Sequence, residues 1–176
     1  MKLYVARHGQ TEYNALNKVC GVTDLPLTET GLKQAENLAQ QIKDKNIGVI
    51  IASPLIRAQQ TAAAVSAVMG VDVITDSRIT EQNYGIYEGA DRKDQGFLAN
   101  KRQFAVKYPG GESMMQVAGR IYPFLAEIKG KYADKNVLLV CHGGVCRVIK
   151  TFFEDMTNEE YFNYSPDNAF VAEYDL

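Results

Sequence analysis

Two histidines and two arginines are the residues of this sequence best suited to chemistry on a phosphoryl group. His8 and His142 are the only histidines, and Arg7 directly precedes the first of them. A neutral imidazole can attack phosphorus and so divide one difficult displacement into two easier ones. The planar guanidiniums of Arg7 and Arg57 match the oxygens of a phosphoryl group, and a second imidazole can stabilise charge on those oxygens. These side chains together would form a pocket for phosphoryl transfer to histidine.

Glycines and a short polar segment near these residues would help to bind an anion. Gly9 follows the first histidine, and Gly143 and Gly144 follow the second. Glycine lets backbone amides approach an anion closely because it has no side chain. Residues 10–14 (QTEYN) are predicted to open a helical turn, and the amino end of a helix favours negative charge.

The elements that must position these side chains alternate between predicted strands and predicted helices. Apolar, β-branched runs indicate buried strands, whereas amphipathic spacing with capping residues indicates helices. The predicted strands are 2–6, 48–52, 71–75, 137–141 and about 169–174, and the predicted helices are about 29–44, 54–69, 113–132 and 145–153. Ser53 is the expected cap of the second helix, with Pro54 at its first position and Gly70 just past its end. The alternation predicts an α/β fold, a three-layer α/β/α sandwich with a mainly parallel central sheet.

The ends of three predicted strands bring the candidate residues towards one place. Arg7 and His8 follow the first strand, and His142 follows the strand 137–141. The strand 48–52 leads to Arg57 in the first turn of the next helix, where its charge opposes the helix dipole and an anion nearby would compensate it. Open α/β sheets bind ligands outside the carboxyl ends of their strands. We therefore expect both histidines and both arginines at one edge of the sheet.

Length and composition favour one domain, residues 1–176, and exclude several classes of partner. A chain of 176 residues is long enough for a substantial core. The formal net charge of −2 argues against general nucleic-acid binding, and no apolar run is long enough to span a bilayer. No signal peptide is recognised and the three cysteines are an odd count, so a cytoplasmic location is expected. The segment 82–112 has weak periodicity and is predicted to form a short cap near the site.

Six motifs resemble those of the histidine phosphatase superfamily, also called phosphoglycerate mutase-like. They cover most of the chain in the family's order: RHGQTEYN (7–14), GVTDLPLTETGLKQA (21–35), SPLIRAQQTA (53–62), TEQNYGIYEG (80–89), PGGES (109–113) and CHGG (141–144). Each motif alone is moderately specific, and their joint occurrence makes the resemblance strong. It implies a mainly parallel sheet between helices, and an enzyme that needs neither a metal nor an organic cofactor.

The resemblance implies a role for each matching residue. His8 is similar to the nucleophile that becomes phosphorylated. Glu81 is similar to the general acid that protonates the leaving oxygen and then acts as base towards water. Arg7, Arg57 and His142 are the other implied catalytic residues, and the implied phosphate-binding residues are Arg7, Asn14, Gly21, Arg57 and Gly143. Cys20 stands where the family often has Gln or Ser, and it is not among the implied phosphate ligands.

Three other carboxylates are rivals of Glu81 for the role of the acid. Glu12, Glu88 and Glu112 are rival carboxylates near plausible loops, and Glu88 could equally be structural.

The resemblance favours the phosphatase branch: a metal-independent phosphomonoester hydrolase of the histidine acid phosphatase type. Only about twenty residues separate Gly89 from Pro109, and a cap this short would leave the site open to water. The expected partner is a small phosphorylated metabolite, with a homodimer as a further option. The cations predicted in the cap are Arg92, Lys93, Lys101, Arg102 and Lys107. They could bind a second acidic group, but ordinary solvated charges are the favoured interpretation.

Three alternatives stay open. One is the phosphotransfer of a cofactor-dependent phosphoglycerate mutase. Another is a non-catalytic module that binds a phosphorylated ligand, although such a module has no use for both a nucleophile and an acid. The third is a metallohydrolase built on His8, His142 and Glu81, which lacks a helical pair of histidines and has two arginines that would repel a divalent cation.

Overall fold

The computed structural model describes all residues from 1 to 176 and has a five-stranded sheet at its centre. The strands are β1 (Lys2–Arg7), β2 (Ile47–Ala52), β3 (Val73–Thr75), β4 (Asn136–Cys141) and β5 (Val171–Asp175). Their order across the sheet is β3-β2-β4-β1-β5. The first four strands pair in parallel, and β5 pairs antiparallel with β1 at one edge. The mainly parallel sheet that the sequence predicts is therefore confirmed.

Seven α-helices accompany the sheet: α1 (Glu12–Ala15), α2 (Glu29–Ile42), α3 (Ile56–Met69), α4 (Gln95–Lys101), α5 (Met114–Lys131), α6 (Gly143–Phe153) and α7 (Asn158–Asn163). Thr28 and Ser113 cap α2 and α5 by accepting amide hydrogen bonds, which satisfies donors that have no partner inside the helix. Gly70 ends α3 with a φ of 68°, a left-handed conformation that glycine adopts without steric cost. No helix is long and apolar enough to cross a membrane.

Side chains alternate between the two faces of the sheet and build one apolar layer on each. On β4, Val137, Leu139 and Cys141 pack against α5 and α6. The intervening Leu138 and Val140 pack against α2 and α3. Successive residues of a strand point to opposite faces, so a strand that is covered on both sides must be apolar throughout. The three-layer α/β/α architecture is confirmed.

The start of α3 differs from the prediction. Ser53 and Pro54 lie before the helix, and the capping position is Leu55, whose side chain makes no capping bond. The amide of Ile56 donates instead to Oδ1 of Asp24 at 2.7 Å. A carboxylate from a distant loop therefore replaces the local cap. The Ser53 hydroxyl accepts from the amide of Leu55 at 3.4 Å and also contacts His142.

The predicted cap, residues 82–112, packs as a small aromatic cluster beside the carboxyl ends of the strands. Val19, Phe97 and Tyr108 form its buried centre. Gly85 has a φ of 56°, and a Cβ atom there would collide with the backbone carbonyl of Pro109. This contact requires glycine and ties the beginning of the segment to its end.

Candidate active site

The carboxyl ends of β1, β4 and β2 meet as the sequence predicts. The amide of His8 donates to the carbonyl of Cys141 at 3.0 Å, and the amide of Ser53 donates to the carbonyl of Val140 at 3.0 Å. The hydrogen-bond ladder of β4 therefore continues one residue past the ends of β1 and β2, to His8 and Ser53. The side chains at these strand ends lie side by side. The centroids of the His8 and His142 rings are 5.1 Å apart.

The neighbours of His8 determine which ring nitrogen carries the proton. Nδ1 lies 2.6 Å from the carbonyl oxygen of Gly9, which can only accept, so Nδ1 is the protonated nitrogen. Nε2 accepts from Nε of Arg57 at 3.2 Å. Burial, followed by the charges of Arg57 and Arg7, lowers the pKa of His8 well below 6.5. The ring is neutral at pH 7, with its lone pair on Nε2.

Arg57 holds both imidazoles from within the core. The N–H at Nε is shared between His8 and Nδ1 of His142, each at 3.2 Å. The other two nitrogens donate to the carbonyls of Thr23 at 2.8 Å and Gly21 at 2.6 Å. Arg57 is fully buried and forms no salt bridge. The groups around its charge are carbonyl oxygens and imidazole nitrogens. No side chain of the protein supplies the compensating anion that its position in the helix predicts.

Ser53 fixes the second imidazole, a role that the sequence analysis missed. Its hydroxyl lies 2.7 Å from Nε2 of His142. Because Nδ1 of that ring accepts from Arg57, Nε2 carries the proton and donates to Ser53. Burial, then the charges of Arg57 and the neighbouring His8, lower the pKa of His142 well below 6.5. His142 is therefore neutral as well.

The loop around Gly21 supports Arg57, and the predicted phosphate-binding role of Gly21 is corrected. Its amide donates to Glu88 at 3.0 Å and its carbonyl accepts from Arg57, so neither group is free for a ligand. The Glu88 carboxylate also accepts from the amides of Val22, Thr23 and Tyr84 and from the Thr23 hydroxyl. Glu88 is thus the structural member of the rival acids.

A cavity opens beside His8, and several predicted residues line it. Its walls include Arg7, His8, Asn14, Cys20, Glu81 and Gly143, whereas Arg57 and His142 do not reach it. The buried Nε of Arg7 has no hydrogen-bond partner. Oδ1 of Asn14 accepts from Thr11 and Asn168, while its amide nitrogen has no protein acceptor. Arg7 and Asn14 therefore offer donors that a phosphoryl oxygen can satisfy.

Glu81 is the one carboxylate that lines this cavity. It is 5 % exposed, and its two oxygens accept from the amides of Gln82 at 2.8 Å and Gly144 at 2.9 Å. Glu12 is exposed on α1, and Glu112 pairs with Arg120. Of the four candidate acids, Glu81 alone lines the cavity beside His8.

A segment late in the sequence completes the surroundings of His8. The His8 carbonyl accepts from Nδ2 of Asn168 at 3.1 Å and from the amide of Ala169 at 3.2 Å. Arg7 donates to the carbonyl of Pro166 at 2.5 Å. Ala169 and Pro166 make their contacts through the backbone, so no side-chain pattern marks them in the sequence. Asn168 stands outside every motif that was recognised.

The cations of the cap divide into two groups, which corrects the expectation that all five are solvated. Arg92 lines the cavity beside His8, and Lys101 lines a second cavity that adjoins it. Lys93, Arg102 and Lys107 are exposed. Arg147, which the sequence analysis missed, lines both cavities. Three guanidiniums, those of Arg7, Arg92 and Arg147, thus face a single carboxylate in the first cavity.

Comparison with known proteins shows the family of this chain. The sequence profile of the histidine phosphatase superfamily (branch 1) matches residues 3–176. The "Putative phosphoserine phosphatase 2" of Hydrogenobacter thermophilus is 32% identical over 179 residues, which cover 98% of this chain and 88% of that protein. The "Probable phosphoglycerate mutase GpmB" of Yersinia pestis is 34% identical over 152 residues, 81% of this chain and 70% of that protein.

Solved structures with the same fold include two phosphatases. A mycobacterial glucosyl-3-phosphoglycerate phosphatase superposes with a TM-score of 0.86 at 28% identity, over 98% of this chain and 88% of that one. The alpha-ribazole phosphatase of Shigella flexneri superposes with a TM-score of 0.87 at 26% identity, over 100% of this chain and 91% of that one. With a profile that matches nearly the whole sequence, the chain belongs to the histidine phosphatase superfamily (branch 1).

Proposed function

We propose that this protein is a metal-independent phosphomonoester hydrolase that acts through a phosphohistidine at His8. The observation that carries the proposal is the state of that ring. It is neutral, its Nδ1 proton is held by the Gly9 carbonyl, and the ring borders a cavity lined by arginines. One N–H of Arg57 is divided between two imidazoles at 3.2 Å, so the bond to Nε2 is weak and an incoming phosphoryl group can displace it.

The reaction consists of two displacements at phosphorus. In the first, the Nε2 lone pair forms the bond to phosphorus while the bond to the leaving oxygen breaks, and protonated Glu81 gives its proton to that oxygen. In the second, Glu81 takes a proton from water, the water oxygen attacks phosphorus, and the N–P bond breaks. Phosphate leaves, and His8 is neutral again with Glu81 protonated. Arg7, the amide nitrogen of Asn14 and the backbone at Gly143 would stabilise the charged oxygens.

The surroundings of the imidazoles argue against the metallohydrolase alternative. The lone pairs of both rings are directed at a guanidinium N–H, and a metal ion would have to replace that contact close to a fixed positive charge. No group of three or more His, Cys, Asp or Glu side chains is arranged to hold a metal ion.

Hydrolysis is preferred over mutase-type transfer, although one relative has a mutase name. The similar solved structures named above are phosphatases, and the cap contributes only one α-helix, α4, of seven residues. A phosphohistidine that water reaches easily is hydrolysed before an intermediate can reorient. The cytoplasmic location and the homodimer stay predictions.

The test is a rapid-quench experiment with a ³²P-labelled small phosphomonoester in the presence of a chelator. We expect an acid-labile, base-stable label at position 8, released as inorganic phosphate, with no isomerised product. The variant His8→Ala should keep its circular dichroism spectrum and lose more than about 10³-fold in kcat. Label at another residue, activity that needs zinc, or isomerised ester as the main product would each overturn the proposal.

A further inference from the structure

A second cavity adjoins the one at His8, and the proposed mechanism does not use it. The two cavities share four lining residues, Tyr84, Arg92, Phe97 and Arg147. The second cavity adds Lys101 from α4 and Tyr108 from the end of the cap, among others. The two cavities are therefore direct neighbours, separated by no more than these shared side chains.

Three cations line this second cavity without an acidic partner. Each is anchored by one bond to a backbone carbonyl: Arg92 to Lys18 at 3.0 Å, Arg147 to Tyr164 at 2.9 Å and Lys101 to Phe162 at 3.3 Å. None of them takes part in a salt bridge, and no carboxylate lines the cavity. Arg147 is buried, and Arg92 and Lys101 are half-buried. Charges withdrawn from water without an acidic partner cost free energy, so this cluster indicates that an anion completes it.

The electrostatic effect of this crowding is largest at Lys101. Burial, then the positive charges of Arg147, Arg92 and Arg102, lower the pKa of its ammonium to about 8. A bound anion would relieve both the repulsion and the cost of burial.

Tyr108 supplies an independent sign of a missing ligand. Its side chain is 3 % exposed and its hydroxyl has no hydrogen-bond partner. Buried hydroxyls are almost always hydrogen-bonded. The Tyr108 side chain lines the cavity, and its ring stacks on that of Phe97 at a centroid distance of 5.7 Å. A fixed, unpartnered hydroxyl donor therefore lies next to the cavity.

We propose that this cavity, formed by Arg92, Lys101, Tyr108 and Arg147, binds a second acidic group of the substrate. The inference rests on the proposed function, because it places the phosphoryl group of the same molecule at His8. The substrate class is a small phosphomonoester that also carries a carboxylate or a second phosphate. The cavities are small, about 40 and 80 Å³, which suits a short carbon linker between the two acidic groups. The rings of Tyr84 and Phe97 would pack against that linker.

Three substrates with the same carbon chain test the subsite: propyl phosphate, 3-phosphonooxypropionate and propane-1,3-diyl bisphosphate. We expect kcat/KM to be at least tenfold higher for one of the two diacids than for propyl phosphate, through a lower KM. The preferred diacid identifies carboxylate or phosphate as the second group. Equal kcat/KM for all three would overturn the inference.

Matched variants show which side chains cause the preference for a diacid. Lys101→Met and Arg147→Met should each reduce the ratio of kcat/KM between the preferred diacid and propyl phosphate about tenfold. Arg102→Met removes the same charge from an exposed neighbour and should leave that ratio unchanged. An unchanged ratio in both Lys101→Met and Arg147→Met would contradict the assignment.

Calorimetry on His8→Ala separates the two proposals because it needs no turnover. Tighter binding of a diacid than of propyl phosphate, weakened by adding Lys101→Met, supports the subsite even if no phosphohistidine forms. Turnover through His8 without any preference for a diacid would overturn the subsite alone.

Discussion

The chemistry of single residues in this site depends on which nitrogen of each imidazole carries the proton. Nδ1–H of His8 donates to the carbonyl of Gly9, and Nε2–H of His142 donates to the hydroxyl of Ser53. Arg57 occupies the remaining lone pair of each ring. One guanidinium thus holds the two histidines as opposite tautomers, and the His8 nitrogen that we propose as the nucleophile becomes available when a ligand displaces its shared bond to Arg57.

Replacing Glu81 by Gln should separate substrates by their leaving groups. The variant cannot protonate the leaving oxygen, so hydrolysis of an alkyl phosphate should slow by about 10²–10⁴-fold. Nitrophenyl phosphate, whose leaving group needs little protonation, should slow much less in its phosphorylation step. The measurement is single-turnover kinetics on both substrates, with the exposed Glu12→Gln as control. Equal slowing of both esters would move the acid role to another group.

Single residues of the site were predictable where a motif or a strand end marked them. The strands before His8 and His142 are visible as apolar runs, so the meeting of these residues with Arg7 at one edge of the sheet could be predicted. Glu81 was marked by its motif. Ser53 was misread as a helix cap, since its Ser-Pro pattern is the same whether the hydroxyl faces a helix or an imidazole. Arg147 carried a usable signal: one turn inside α6, its side chain points back towards the amino end of that helix.

At the scale of elements, the loop 20–24 is held between a carboxylate and a guanidinium. Glu88 accepts from its amides and Arg57 donates to its carbonyls. The two side chains come from different parts of the chain, so the loop transmits the position of the cap segment to the fully buried arginine. Positioning of the imidazoles therefore depends on Glu88 although it lies outside the cavity.

The variant Glu88→Gln should damage this loop without changing the acid chemistry. An amide has one acceptor oxygen, so several donors of the loop would lose their partner. We expect the free energy of unfolding to fall by about 1–3 kcal/mol and kcat/KM to fall about tenfold, by a similar factor for alkyl and nitrophenyl esters. Urea denaturation and steady-state kinetics measure the two effects, and the exposed Glu36→Gln on α2 is the control. A change confined to alkyl esters would refute a purely structural role.

Long elements were predictable from the sequence, and short ones were not. All five strands and the helices α2, α3, α5 and α6 appear within a few residues of their predicted positions. The helices α4 and α7, of seven and six residues, were missed, because so few turns show no clear periodicity. The amino end of α3 was misplaced since its cap, Asp24, lies 32 residues away from Ile56, beyond the reach of any local pattern.

The stability of the whole molecule decreases as the pH falls, because two histidines are buried in their neutral form. Both folded-state pKa values lie well below 6.5, whereas the unfolded chain takes up protons near pH 6.5. Below that pH the unfolded state binds more protons, so stability is lost as the pH decreases. The loss should approach about 1.4 kcal/mol per pH unit for each histidine. Urea denaturation between pH 7.5 and 5 measures the slope, and His8→Asn should roughly halve it. A free energy of unfolding that stays constant over this range would contradict the neutral, buried state of the rings.

The backbone at His8 is fixed by residues that lie about 160 positions later in the sequence, at Asn168 and Ala169. A ribosome must therefore have made residues 168 and 169 before the backbone at His8 has its final hydrogen-bond partners. A translation product that stops before Asn168 would carry the whole amino-terminal motif without these contacts. On the proposed function, phosphoester hydrolysis would therefore require Asn168 and Ala169 to be in place beside the histidine.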